Sequence, residues 1–125
     1  MMGKLTLKRA YAPPEAGDGK RILVDRLWPR GLRRSDAAID DWMKDIAPSP
    51  ELRKWFDHDP ARFALFGERY REELDANPGP AQARCAMLRE QDVTLVYAAR
   101  DEHINHVRVL ADYLAARGCP PKDVG

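Results

Sequence analysis

The sequence predicts an α/β protein: a small single domain with a short, mostly parallel sheet flanked by helices. Two apolar runs, at residues 21–28 and 93–98, have the β-branched and aliphatic composition of strands buried on both faces. A long segment with helical periodicity separates them, which predicts a helical crossover between two parallel central strands. The 125 residues fit one domain, which we expect to span 1–125.

Composition narrows the class of protein. Hydrophobic residues (44%) and charged residues (33%) are balanced as in globular chains, and a net charge of +1 argues against a protein that coats nucleic acid. The N-terminus lacks an apolar signal region and no run is long enough to span a membrane, so we expect a cytoplasmic protein without a membrane partner. Cys85 and Cys119 form no CxxC motif, which favours reduced thiols over a zinc site.

The N-terminal elements are two strands. Residues 5–11 begin with alternating apolar and polar residues, which is typical of a half-exposed edge strand. Residues 12–19 contain two prolines and two glycines and are expected to form a loop. The first central strand follows over 21–28, and Pro29 and Gly31 end it.

Helices are expected in the crossover. Ser35 is a candidate N-cap for a helix that ends before Pro48, and its apolar stripe follows i, i+3, i+4, i+7 spacing. That stripe consists of Ile39, Trp42, Met43 and Ile46. Ser49-Pro50 and Asp59-Pro60 each place a capping residue before a proline, which predicts two further helix starts. A weaker helix is expected over 81–90.

The last helix follows the second central strand. Asp101 is its candidate N-cap, and Gly118 is its expected stop. Because parallel strands present their carboxyl ends at one edge, the residues after both central strands should meet there, where open α/β proteins place ligands.

We therefore predict a pocket at this edge that binds a small anionic ligand carrying phosphate or carboxylate. Arginine side chains offer planar donor groups to such an anion, and the N-terminus of the last helix adds free N–H groups. The predicted ligand-binding residues are Arg26, Trp28, Arg30, Tyr97 and Arg100.

Acid/base chemistry is a further possibility in this pocket. His106 is the candidate proton carrier, because a histidine in the first turns of a helix tends to stay neutral. Asn105 would orient the substrate or the imidazole, and Asp25 completes the predicted catalytic group. Each has a purely structural alternative: Asp25 in an ion pair with an arginine, and His106 packed and bonded to a carbonyl.

Other site types have less support. The sequence contains no phosphate-binding glycine loop of the P-loop or Rossmann kind and no GxSxG motif, and it predicts no cofactor. His103 and His106 are three residues apart, but no zinc motif accompanies them; the sequence predicts no metal site and leaves metal binding by this pair open.

Several segments resemble domain-of-unknown-function family 488, the YeaO-like proteins. They are 21–31, Asp41-Trp42, 47–56, 94–100, Asn105-His106 and Val109-Leu110, and together they span nearly the whole chain. Arg100 stands where lysine is usual in the family, and Val107 stands where alanine is usual. The resemblance implies an α/β fold and points to the same strand-end residues, but it implies no function.

Three functional hypotheses remain. The first is an enzyme, or a degenerate enzyme, acting on a small anionic molecule. The second is a nucleic-acid-binding module that uses the basic segment 26–34 with Trp28, against which the net charge of +1 counts. The third is a structural or interaction protein whose polar cluster only stabilises the fold. The sequence does not determine the oligomeric state.

Overall fold

A four-stranded sheet organises the chain in a computed structural model that describes residues 5–77, 79–80, 82–83, 91–101 and 103–116. The strands are β1 (Leu5–Arg9), β2 (Lys20–Leu23), β3 (Asp41–Trp42) and β4 (Val93–Tyr97). Their order is β1-β4-β2-β3, and each neighbouring pair is parallel. The α/β fold is therefore confirmed, with β2 and β4 adjacent at the centre and β1 at one edge.

The α-helices described from end to end are α1 (Arg34–Ala37), α2 (Pro50–Phe56), α3 (Phe63–Ala76) and α4 (His106–Ala116). The starts predicted from serine and aspartate before proline are confirmed. The Ser49 hydroxyl accepts from the Leu52 N–H, and the Asp59 carboxylate accepts from the Ala61 N–H of a 3-10 turn that leads into α3.

One face of the sheet carries the main core. Since successive strand residues point to opposite faces, every second residue of β2 and β4 packs under the helices. Ile22, Val24 and Leu95 are fully buried there, against residues such as Phe66 and Leu110. Burying a side chain of this size contributes roughly 1.5–3 kcal/mol, so this face supplies most of the apolar stabilisation.

The other face carries a smaller cluster. Leu23 and Val96 are fully buried here, beneath Trp28 and Trp42, whose rings meet edge to face at 5.6 Å. In the described part of the chain, the residues packed on this cluster are Trp28, Leu32, Ile39 and Trp42, which lie in loops and in β3.

The prediction of a helix between Ser35 and Pro48 is wrong. Only α1 forms, because Ala38 adopts a left-handed conformation (φ 49°) that ends it. The chain then adds β3 to the sheet edge beside β2. The apolar residues of this segment divide between the two faces of the sheet: Trp42 packs on the smaller cluster and Met43 on the main core. Successive residues of an extended chain point to opposite faces, whereas a single helical stripe would put both on one side.

The first central strand is also shorter than predicted. Its last sheet hydrogen bond runs from the Val24 N–H to the Val96 carbonyl. At Asp25 the side chain, not the backbone, accepts from the Ala98 N–H at 2.8 Å. The backbone therefore leaves the sheet at Asp25, and residues 25–28 are not strand.

Some predictions lie outside the described residues: most of the helix over 81–90, the two cysteines Cys85 and Cys119, and the stop at Gly118. Within the described part, no helix has both the length and the apolarity needed to cross a membrane.

Candidate functional site

A pocket of about 820 Å³ opens at the carboxyl ends of β2 and β4. Segments 25–27 and 98–101, which follow these strands, form one side, and α2 with the turn after it forms the other. Asn105 and His106, at the start of α4, complete the lining. This is the position at which open parallel sheets bind ligands, because the strand connections diverge there.

Asp25 and His106 form a buried pair in this lining. Their carboxylate Oδ1 and imidazole Nε2 lie 3.0 Å apart, and each residue is less than a tenth exposed. The same Nε2 lies 2.9 Å from the carbonyl oxygen of Val24. A carbonyl oxygen only accepts hydrogen bonds, so Nε2 must carry a proton and donate it.

Asn105 is the N-cap of α4. Its Oδ1 accepts from the Arg108 N–H at 3.0 Å, and its Nδ2 donates to the Asp101 carbonyl at 2.7 Å. The expectation that Asp101 caps this helix is wrong. The Asp101 carboxylate instead accepts from the N–H groups of Ile104 and His103 in the preceding turn, and these backbone hydrogen bonds lower the pKa of Asp101.

Arg26 spans from the end of β2 to the loop before α2. Its Nε donates to the Pro48 carbonyl at 2.7 Å and its Nη2 to the Ala47 carbonyl at 3.3 Å. These two bonds hold the half-buried guanidinium in place while the side chain lines the pocket. Three of its five N–H donors take no part in them.

Three further cations line the pocket: Arg53 and Lys54 of α2, and Arg100 after β4. None of the three side chains makes a hydrogen bond or ion pair with another residue in the described part of the chain. Sequence reasoning identified Arg100 but missed Arg53 and Lys54. The sequence places Arg53 and Lys54 on the polar side of α2, opposite Leu52 and Phe56. A helical pattern does not show which polar residues lie close to the end of a strand.

His58 also lines the pocket, at the turn after α2. Asp57 ends α2 in a left-handed conformation (φ 48°), and His58 repeats it (φ 54°). Left-handed backbone is costly for residues other than glycine, and two in succession reverse the chain sharply. The reversal places the exposed imidazole of His58 at the pocket lining, with its ring 6.2 Å from that of Phe56.

Three of the residues predicted to bind ligand lie elsewhere. Trp28 packs on the second face of the sheet, where its Nε1 donates to the Leu32 carbonyl. Arg30 is exposed outside the pocket, and Tyr97 is buried in the main core. The structure thus brings together Asp25, Arg26, Arg100, Asn105 and His106, and it separates Trp28, Arg30 and Tyr97 from them.

The two histidines considered for metal binding are not on one helical face. His106 begins α4, whereas His103 is an exposed residue of the turn before it. In the described ranges, no group of three or more histidine, cysteine, aspartate or glutamate side chains is arranged to hold a metal ion.

Comparisons with known proteins agree on the family. Residues 4–119 match the family model described as the inactive DUF488-N3 subclade. The uncharacterized protein YeaO of Escherichia coli (strain K12) is 46% identical over 107 residues, which cover 86% of this chain and 93% of that protein. No solved structure matches the chain.

Mycobacterial proteins are similar over a slightly longer stretch. Uncharacterized proteins of Mycobacterium tuberculosis (strain ATCC 25618 / H37Rv) and Mycobacterium bovis (strain ATCC BAA-935 / AF2122/97) are each 41% identical over 114 residues. The match covers 91% of this chain and 96% of each of those proteins. This chain therefore belongs to the DUF488 family of YeaO-like proteins.

Proposed function

We propose that this protein binds a small organic molecule carrying phosphate or carboxylate in the strand-end pocket. The observation that carries the proposal is that two carboxylates of the lining already have hydrogen-bond donors, whereas some of its cationic side chains lack partners among the described residues. Asp25 and Asp101 already accept hydrogen bonds from N–H donors of the protein. In the described part of the chain, the side chains of Arg53 and Arg100 have no such partner. Asp57 is the remaining carboxylate of the lining, so cationic donors are in excess.

The arrangement of donors supports the same conclusion. Arg26 is held by two backbone carbonyls, so its remaining N–H groups cost little entropy to order around an anion. The N-terminus of α4 lies at the same pocket and carries a partial positive charge. Guanidinium groups on two sides of a concave site suit a phosphate or carboxylate that accepts several hydrogen bonds at once.

A thermal-shift screen tests the proposal. The panel contains inorganic phosphate, phosphorylated metabolites, nucleotides and carboxylates, each with the chloride salt of the same cation as a blank. A ligand present at a hundredfold its dissociation constant stabilises the native state by about 2.7 kcal/mol. We expect at least one anion to raise the melting temperature, and we expect Arg100→Ala or Arg53→Ala to remove most of that rise.

Arg30→Ala is the matched control, because Arg30 is exposed and lies outside the pocket lining. It removes the same charge and should leave the ligand-induced shift unchanged. A panel without a single shift on folded protein would contradict the proposal. Equal losses in Arg30→Ala and Arg100→Ala would contradict the location of the site.

Proton transfer by His106 is a second candidate function. The observation in its favour is the Asp25 carboxylate at 3.0 Å, which orients the ring as the acidic partner does in many acid/base pairs. The description of the matching subclade as inactive counts against it. Incubating any ligand found by the screen with wild type and with His106→Gln, followed by mass analysis, tests it; a ligand that wild type leaves unchanged rules this candidate out.

Nucleic-acid binding by segment 26–34 has weaker support. The Trp28 ring, its expected stacking platform, meets the Trp42 ring and has the Arg34 guanidinium 4.7 Å from its centre. Little of the ring is thus left for a nucleobase. Retention on heparin that disappears with rising salt, and is lost in Arg33→Ala, would favour this function over the pocket.

A further inference from the structure

We infer that the ligand is an amphipathic organic anion: an aromatic or branched aliphatic body joined to a single phosphate or carboxylate group. This inference rests on the proposed function and adds the chemical class of the ligand. It follows from the pocket's apolar lining, its exposed rim and its size, none of which a bare inorganic ion would use.

Apolar side chains make up a large part of the lining. Phe56 and Phe66 are buried lining residues, and their rings stack at 4.3 Å between centres. Prolines and alanines of the adjoining loops extend this apolar wall. Its members are Leu27, Pro48, Pro50, Phe56, Phe66, Ala98 and Ala99. An apolar wall facing a pocket gains free energy when a hydrophobic group displaces water from it.

Leu27 marks the rim of this wall. Leu27 is 72% exposed, the largest exposure among the big hydrophobic residues of the described chain. It stands directly after Arg26, where the backbone has left the sheet, so the fold does not cover it. Leu27 lines the same pocket as Arg26, so it offers a ligand an exposed apolar contact there.

The size of the pocket agrees with an organic body. Its volume of about 820 Å³ falls in the range of roughly 300–1,000 Å³ that is usual for small-molecule sites. A water molecule occupies about 30 Å³ in the liquid, so the space holds many heavy atoms beyond a phosphate group.

The charge on the ligand is expected at one end. The cations Arg26 and Arg100 follow the strand ends, and Arg53 and Lys54 face them from α2. The aromatic part of the lining comes from the helices, because Phe56 belongs to α2 and Phe66 to α3. A molecule with an anionic head and an apolar body satisfies both parts of the lining at once.

Titration calorimetry with matched pairs of anions tests the inference. The pairs are inorganic phosphate with phenyl phosphate, and acetate with phenylacetate. We expect the phenyl member of at least one pair to bind wild type at least about tenfold more tightly than its small partner, because its ring buries apolar surface.

Two leucine variants locate the apolar contact. Leu27→Ser should weaken binding of the phenyl member about three- to tenfold and leave the small anion unchanged. Leu65→Ser is the matched control, since Leu65 is 43% exposed on α3 and does not line the pocket. It should change neither affinity. Arg100→Gln should weaken both members of a pair by the same factor.

The outcomes separate the two proposals. If no anion of either pair binds, the amphipathic ligand is ruled out, and a thermal-shift panel that is also blank means that the proposed function fails too. If small and phenyl anions bind equally, or if Leu27→Ser binds phenyl phosphate and phenylacetate as wild type does, the amphipathic ligand is ruled out while anion binding stands.

Discussion

Two buried carboxylates flank β2, and they differ in what surrounds them. Asp18 precedes the strand and is 8% exposed, whereas Asp25 follows it and is 4% exposed. Asp18 lies in a closed network of charged partners. Asp25 lies at the lining of an open pocket, with a histidine as its partner. The comparison separates a polar cluster that serves the fold from one that can also serve a ligand.

The network around Asp18 is internally satisfied. Its carboxylate accepts from Arg21 at 2.6 Å and from Lys8 at 3.2 Å. Arg21 also donates twice to the Ala37 carbonyl, and the Thr94 hydroxyl donates to the Asp18 carbonyl. These groups join strands β1, β2 and β4 to one another and to the end of α1. No donor of this network faces the pocket.

Asp25 holds the other end of the same strands. Its Oδ2 accepts from the Ala98 N–H after β4, and its Oδ1 meets His106 of α4. Both contacts fix the shape of the strand ends. Because the pair also lines the pocket, the same two side chains fix the position of Arg26 and Asn105 relative to a ligand. The difference teaches that a buried acid beside a cavity is a candidate site residue, whereas one enclosed by charged partners is explained by the fold alone.

The largest expected effect comes from Asp18→Ala. The substitution leaves Arg21, whose side chain is 4% exposed, without its acidic partner. Breaking a buried ion pair in this way typically costs about 3–5 kcal/mol, and we expect the free energy of unfolding in urea to fall by that amount. Asp36→Ala, on exposed residue 36 of α1, is the control and should change it by less than about 0.5 kcal/mol. A loss below about 1 kcal/mol for Asp18→Ala would show that the network around Asp18 does not stabilise the fold.

A smaller loss is expected from Asp25→Asn. The new amide can still accept from the Ala98 N–H, but its NH₂ group then meets the Nε2–H of His106, so two donors face each other. We expect the free energy of unfolding to fall by about 1–3 kcal/mol. A double-mutant cycle with His106→Ala measures the coupling within the pair; a coupling energy near zero would mean that the contact does not stabilise the protein.

The smallest effect is a difference in acid sensitivity. Burial raises the pKa of Asp18, but hydrogen bonds from the Glu15 N–H, Lys8 and Arg21 outweigh it, so the pKa is lowered below 3.8. A depressed pKa contributes stability that is complete above the unfolded value and is lost as pH falls through the folded value.

The free energy of unfolding of Asp18→Asn should therefore fall less steeply than that of wild type between about pH 5 and pH 3. Asp36→Asn provides the reference slope, since residue 36 is exposed. Parallel curves for wild type and Asp18→Asn would show that this carboxylate is not selectively stabilised in the folded state.

Much of the fold was predictable because it depends on local apolar patterns. The runs that became β2 and β4 are nearly continuous in apolar residues, and the long helical connection between them predicted the parallel pairing that the structure has. The segment 35–47 was not predictable in this way. Ile39, Trp42, Met43 and Ile46 have the spacing of a helical stripe, and the pairing with β2 that forms β3 instead is a long-range contact that this spacing does not reveal.

The candidate site was predictable where it depends on strand ends. Asp25 and Arg100 come shortly after the two central strands in the sequence, and His106 lies at the start of the helix after the second one, so their places near the strand ends could be predicted. Trp28 and Arg30 were misplaced because the chain leaves the sheet at Asp25, so the alternation of a strand no longer orients later side chains. Arg53 and Lys54 were missed because the approach of α2 to the strand ends is a tertiary contact.

The most direct test of the pocket is an amide-correlation NMR titration of the full chain with phenyl phosphate. Our account predicts dose-dependent shifts that saturate and concentrate at Arg26, Arg53, Arg100 and His106, with residues 30–34 unchanged. Shifts confined to residues 30–34, or no shifts at millimolar ligand, would contradict it.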